Sequence, residues 1–94
     1  MSDTQLTNNL ERSRFELRTD DGRLAGFAEY VDRDDVREFV HTVVRDEFEG
    51  RGIGSKIARG ALDATREDGR KVIATCPFIK GWIGKHPDYE DILA

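Results

Sequence analysis

Along this chain the apolar residues switch between a period of two and a period near 3.6, and each switch marks an element. Phe15 and Leu17 alternate with charged neighbours, Asp21-Gly22 is a hairpin turn signal, and residues 24–31 supply a second strand with Phe27, Tyr30 and Val31. The acidic run at residues 32–35 reads as a turn. Residues 36–44 follow as a third strand, apolar enough in its last half to lie inside a sheet. From Ile53 the period lengthens: Ile53, Ile57, Ala58, Ala61, Leu62 and Thr65 share one helical face, and Lys56, Arg59, Asp63, Arg66 and Glu67 share the other. Asp68-Gly69 ends this helix, and residues 71–75 form a short strand able to lie parallel to the third. Cys76-Pro77 opens a second helix with Phe78, Ile79, Trp82 and Ile83 as core positions, stopped by His86-Pro87.

The predicted order is β-β-β-α-β-α, an α+β fold in which an antiparallel meander is joined to a parallel β-α-β unit. Residues 1–13 are polar and aperiodic and read as a tail or a lead-in to the first strand, so the domain spans residues 14–94. At 94 residues the chain holds one domain with a small core, which demands an economical fold.

Composition narrows the partners. A net charge of −4, with 15 basic residues scattered along the chain, argues against nucleic acid. Cys76 is the single cysteine, which excludes an internal disulfide and a zinc site built on several thiolates; no metal is expected. No run approaches the roughly 18 apolar residues of a membrane span, and the first residues lack the pattern of a signal peptide. A cytoplasmic protein without a membrane partner, monomeric or weakly dimeric, is the expectation.

Residues 49–54, Glu-Gly-Arg-Gly-Ile-Gly, stand between the third strand and the first helix. Glycines at such a junction let backbone N–H groups converge without Cβ obstruction, and the helix start adds partial positive charge, so phosphate is the natural ligand. The same spacing also serves close backbone packing, and it lacks the Gly-Lys-Ser/Thr of a P-loop, which disfavours a nucleotide binder.

A strand, a turn of the form Gln/Arg-x-x-Gly-x-Gly/Ala, an amphipathic helix and a parallel strand resemble the acetyl-coenzyme A motif of the GNAT superfamily of N-acetyltransferases. The chain is similar in particular to a small single-domain GNAT-like subfamily of roughly 90–110 residues. That likeness rests on His41-Thr42, Cys76-Pro77-Phe78-Ile79, Trp82-Ile83 and His86-Pro87-Asp88-Tyr89. Glu49 departs from the usual Gln or Arg and is expected to point to solvent. The N-terminal strand and the helix pair that cover the acceptor side in full-sized members have no counterpart in this reading. The resemblance implies acetyl-coenzyme A as acyl donor and an amine, small molecule or protein, as acceptor. It further implies that the backbone of Val43 and Val44 holds the acetyl carbonyl and pantetheine arm, and that the amides of Arg51, Gly52, Ile53 and Gly54 take the pyrophosphate.

Acetyl transfer to an amine needs a proton acceptor, an oxyanion partner and an acid for the leaving thiolate. His41 is the candidate base, because histidine exchanges protons near neutrality. Glu38 occupies the strand position where some GNAT enzymes carry their base; strict alternation sets it opposite His41, and a bulge would reverse that. Cys76, at a helix start that favours negative charge on sulfur, is a candidate nucleophile or acid, and Tyr89 is a second candidate acid. Each also has a plainer reading: a structural histidine, a buried small thiol, a packed aromatic. A non-catalytic acyl-coenzyme A-binding or sensing module is the competing function.

Overall fold

The computed structural model describes residues 4–94. Five strands form one sheet in the order β1 (Thr4–Asn9), β2 (Arg14–Thr19), β3 (Leu24–Arg33), β4 (Val36–Val44) and β5 (Lys71–Ala74). The first four pair antiparallel, and β5 lies parallel to β4. Helix α1 (Ile53–Glu67) joins β4 to β5, and helix α2 (Pro77–Lys85) follows β5. Short 3₁₀ segments at Asp46–Phe48 and Pro87–Ile92 complete the chain.

Strand β1 corrects the sequence reading, which left residues 1–13 as a tail or lead-in and began the order with three strands. The order is β-β-β-β-α-β-α, and an N-terminal strand is present after all. One apolar residue, Leu6, cannot display an alternation, so the strand is specified from outside itself. Its backbone pairs along β2, the Tyr30 hydroxyl donates to Asn8 Oδ1 at 2.7 Å, and Leu6 lies on Gly60 of α1. A Cβ at Gly60 would stand 2.5 Å from the Leu6 side chain, so the glycine lets Leu6 rest directly on the helix.

Both helices lie on one face of the sheet. Ile53, Ile57, Ala58, Ala61, Leu62 and Thr65 of α1 are buried, the face that the period of 3.6 predicts. They meet Phe15, Leu17, Ala28, Tyr30, Phe39 and Val72 from the strands and Ile79, Trp82 and Ile83 from α2. The Trp82 indole donates to Ser55 at 2.9 Å, which ties α2 to the first turn of α1. Residues that alternate to the other face, such as Thr7, Val31, Glu38 and Ile73, are exposed or half-buried and carry no packed helix.

The far end of α1 is held by charge. Arg37, 3% exposed in β4, donates two hydrogen bonds to Asp32 at 2.8 and 3.0 Å and reaches Asp68 at 3.3 Å. Its guanidinium sits 4.4 Å from the Tyr30 ring centroid. Burial works against the Arg37 charge, but Asp32 outweighs it and holds the guanidinium more firmly protonated. The acidic run at residues 32–35 is therefore not only a solvated turn: it fastens the β3–β4 connection to the end of α1.

Candidate functional site

Strands β4 and β5 pair only from Val36 to Phe39, opposite Lys71 to Ala74. One more hydrogen bond, from Cys76 N–H to the Phe39 carbonyl at 2.9 Å, closes the ladder before Pro77 turns the chain into α2. Strand β4 runs on to Val44 beside β3, so a gap opens along its other edge. Arg45 N–H donates to the Ala25 carbonyl at 2.9 Å, in register with the pair Gly26–Val44. The alternation of an antiparallel ladder then directs the backbone groups of Val43 toward Phe27 and those of Thr42 and Val44 into the gap. Of the two valines named from the sequence, Val44 turns its backbone groups to the gap and Val43 turns its own to β3.

At the end of the gap the chain makes the glycine turn. Phe48 is buried beneath it, and Gly50 and Gly52 have φ of 82° and 72°. A Cβ at either would meet no atom within 4 Å, so the space before the turn is open. Lys56 donates the first helical hydrogen bond to the Gly52 carbonyl at 3.1 Å, which leaves the N–H groups of Ile53, Gly54 and Ser55 outside the helical ladder. Glu49 is exposed, and the Arg51 guanidinium lies 5.5 Å from the Phe48 ring centroid.

Strand β4 carries a bulge at Val40, since Tyr30 faces Phe39 while the adjacent Glu29 faces His41. The extra residue reverses the alternation. Glu38 and His41 therefore stand on the same face, the one free of helices, and Thr42 turns toward the helices. There the Thr42 hydroxyl lies 3.4 Å from the sulfur of the buried Cys76. The Thr75 hydroxyl donates to Glu38 at 2.6 Å and Arg33 pairs with it, and these contacts, Thr75 first, hold its carboxyl below the usual range. That makes Glu38 a weak base.

Tyr89 is engaged with α1: its hydroxyl donates to Asp63 at 2.7 Å and lies 3.4 Å from the Arg59 guanidinium. Burial first, and the Asp63 carboxylate second, push its phenol pKa up, which makes it a weaker acid. Phe78 is a further correction: expected in the core, it is 43% exposed, with its ring over Gly54. Apolar spacing places it beside Ile79, but as the second residue of α2 it lies over the start of α1 instead of facing the sheet. Nothing local marks Thr42 as the neighbour of Cys76, because a threonine in a strand looks like ordinary β-propensity.

The family model for GCN5-related N-acetyltransferases matches residues 14–92. Protein NATD1 of Xenopus tropicalis is 31% identical over 88 residues, covering 92% of this chain and 80% of that protein. The Gallus gallus NATD1 is 32% identical over 85 residues, covering 88% and 76%. Among solved structures, a GCN5-like protein from Staphylococcus aureus determined by NMR superposes with a TM-score of 0.74 at 27% identity, covering 100% of this chain and 91% of the other. The chain belongs to the GCN5-related N-acetyltransferases, a family of acyl-transfer enzymes.

Proposed function

We propose that this chain transfers an acetyl group from acetyl-coenzyme A to a primary amine by direct attack of the amine on the thioester. The supporting observation is one continuous path: the gap beside Thr42 and Val44 runs into the open glycine turn, so a pantetheine arm and its pyrophosphate fit end to end. The amides of Ile53, Gly54 and Ser55 take the pyrophosphate, and the helix start favours its charge. The Thr42 N–H polarises the acetyl carbonyl. The two faces of the gap divide the proton work. His41, on the face without helices, takes a proton from the arriving ammonium, and Cys76, on the helix face, supplies one to the departing thiolate. Of the two protons that leave nitrogen, one passes to solvent and one ends on the coenzyme A thiol. Glu38 is the lesser base because Thr75 and Arg33 stabilise its charge, and Tyr89 is the lesser acid because burial and its bond to Asp63 hold the proton on the phenol.

Thermal shift with acetyl-coenzyme A beside ATP and NADPH tests the donor. At 100 times its dissociation constant a ligand stabilises by about 2.7 kcal/mol, a visible rise in melting temperature. Absence of any shift with acetyl-coenzyme A would end this reading. Release of free thiol over a panel of primary amines tests transfer, with His41→Ala expected to lower kcat by about 100-fold. If the ligand binds and no amine turns over, the non-catalytic binding module takes its place. An acetyl adduct on Cys76 after rapid quench, absent in Cys76→Ala, would replace direct attack by a two-step route.

A further inference from the structure

We infer that the groove on α2 beside the glycine turn seats the adenine ring of the same ligand, with Phe78 as its stacking platform and Lys85 as the partner of the 3′-phosphate. The inference rests on the coenzyme A reading above. It starts from an anomaly of packing: Ile79, Trp82 and Ile83 of α2 are buried, whereas the Phe78 ring is left in solvent. That ring touches the phosphate turn. A Cβ at Gly54 would stand 2.8 Å from Phe78 Cζ, so the aromatic edge rests against the backbone whose N–H points out of the helix start.

Next to the ring lies a groove of about 240 Å³ lined by Pro77, Phe78, Gly81, Trp82 and Lys85. The walls are mainly apolar, and a Cβ at Gly81 would meet nothing within 4 Å, so the floor is open. His86 stacks on Trp82 with ring centroids 3.7 Å apart, which covers one indole face and leaves Phe78 as the aromatic surface presented to the groove. Lys85, exposed at the far end, makes no ion pair among the described residues. A flat heteroaromatic ring joined to a phosphate fits this combination of π-face, apolar wall and free ammonium. The Phe78 ring borders both the Gly54 backbone and the groove, so the groove adjoins the turn proposed for the pyrophosphate.

The test is calorimetric titration of the full chain with coenzyme A, 3′-dephospho-coenzyme A and 4′-phosphopantetheine, with fluorescence of Trp82, the single tryptophan, as a second readout. Phe78→Ala is expected to weaken coenzyme A about tenfold, in the range of base–aromatic stacking, and to leave phosphopantetheine within about twofold. Phe78→Tyr should restore coenzyme A binding. Lys85→Ala should weaken coenzyme A several-fold while leaving the dephospho form unchanged. Equal loss for all three ligands in Phe78→Ala would assign the ring to the pantetheine arm and overturn the inference. So would equal affinity of the wild-type chain for coenzyme A and phosphopantetheine. Binding of none of the three would overturn the coenzyme A reading along with it.

Discussion

Asp32→Asn removes the charge that Arg37 is built around while keeping the size of the side chain. Arg37 is 3% exposed and the Asp32 side chain 31% exposed, and two hydrogen bonds join them at 2.8 and 3.0 Å. Breaking a fully buried pair costs about 3–5 kcal/mol. Here the amide oxygen keeps one hydrogen bond, Asp68 remains at 3.3 Å, and Asp32 is partly in water, so about 2 kcal/mol is expected at pH 7. For a domain of this size that lowers the melting temperature by about 8–16 °C. The Arg37 hydrogen bond, followed by its charge and that of Arg70, holds the Asp32 carboxyl below its usual range against the effect of burial. A depressed folded-state pKa adds stability that is fully present above the unfolded carboxylate range. It is lost as pH falls through the folded value. The gap between wild type and Asp32→Asn should therefore be constant from pH 7 to about 5 and shrink below about pH 4. Urea unfolding followed by circular dichroism at several pH values measures it. A loss under about 0.5 kcal/mol at pH 7, or a gap that does not shrink in acid, refutes the assignment of Asp32 as the principal counter-charge. Adding Arg37→Met to Asp32→Asn should recover part of the loss, because the buried charge leaves with its partner.

Gly52→Ala should cost about 1 kcal/mol by circular dichroism melting, since a left-handed residue gains a Cβ, and it should also weaken acetyl-coenzyme A in calorimetry; unchanged stability would contradict the φ of 72°. Gly26→Ala should be more severe, above about 2 kcal/mol in urea, because its Cβ would stand 2.4 Å from the Val43 carbonyl and 2.9 Å from Ile57, and the strand backbone cannot yield. Leu6→Ala should lose about 1–2 kcal/mol and speed amide exchange along β1; a neutral result would mean that β1 adds nothing to the fold.

Where local periodicity and punctuation suffice, the sequence and the structure agree residue by residue. The six buried positions of α1, the Asp68-Gly69 stop, the Asp21-Gly22 turn and the Pro77 start of α2 are each signalled within a few residues. The glycine turn was legible for the same reason, because positive φ and a strand-to-helix junction are local properties. Strand β1 was not, since its single apolar residue rests on Gly60, 54 positions away, and its Asn8 accepts from Tyr30 at a separation of 22. Nor was the Val40 bulge, which exists only as a mismatch of register between two strands. That one extra residue decides that Glu38 and His41 share a face and that Thr42 meets Cys76. The chain alone determined which residue types are available for acyl transfer and where phosphate is welcome. Tertiary structure decided which backbone groups of β4 are free, because hydrogen-bond pairing is settled by the partner strand, and which aromatic is left in solvent, because burial is settled by what packs above it.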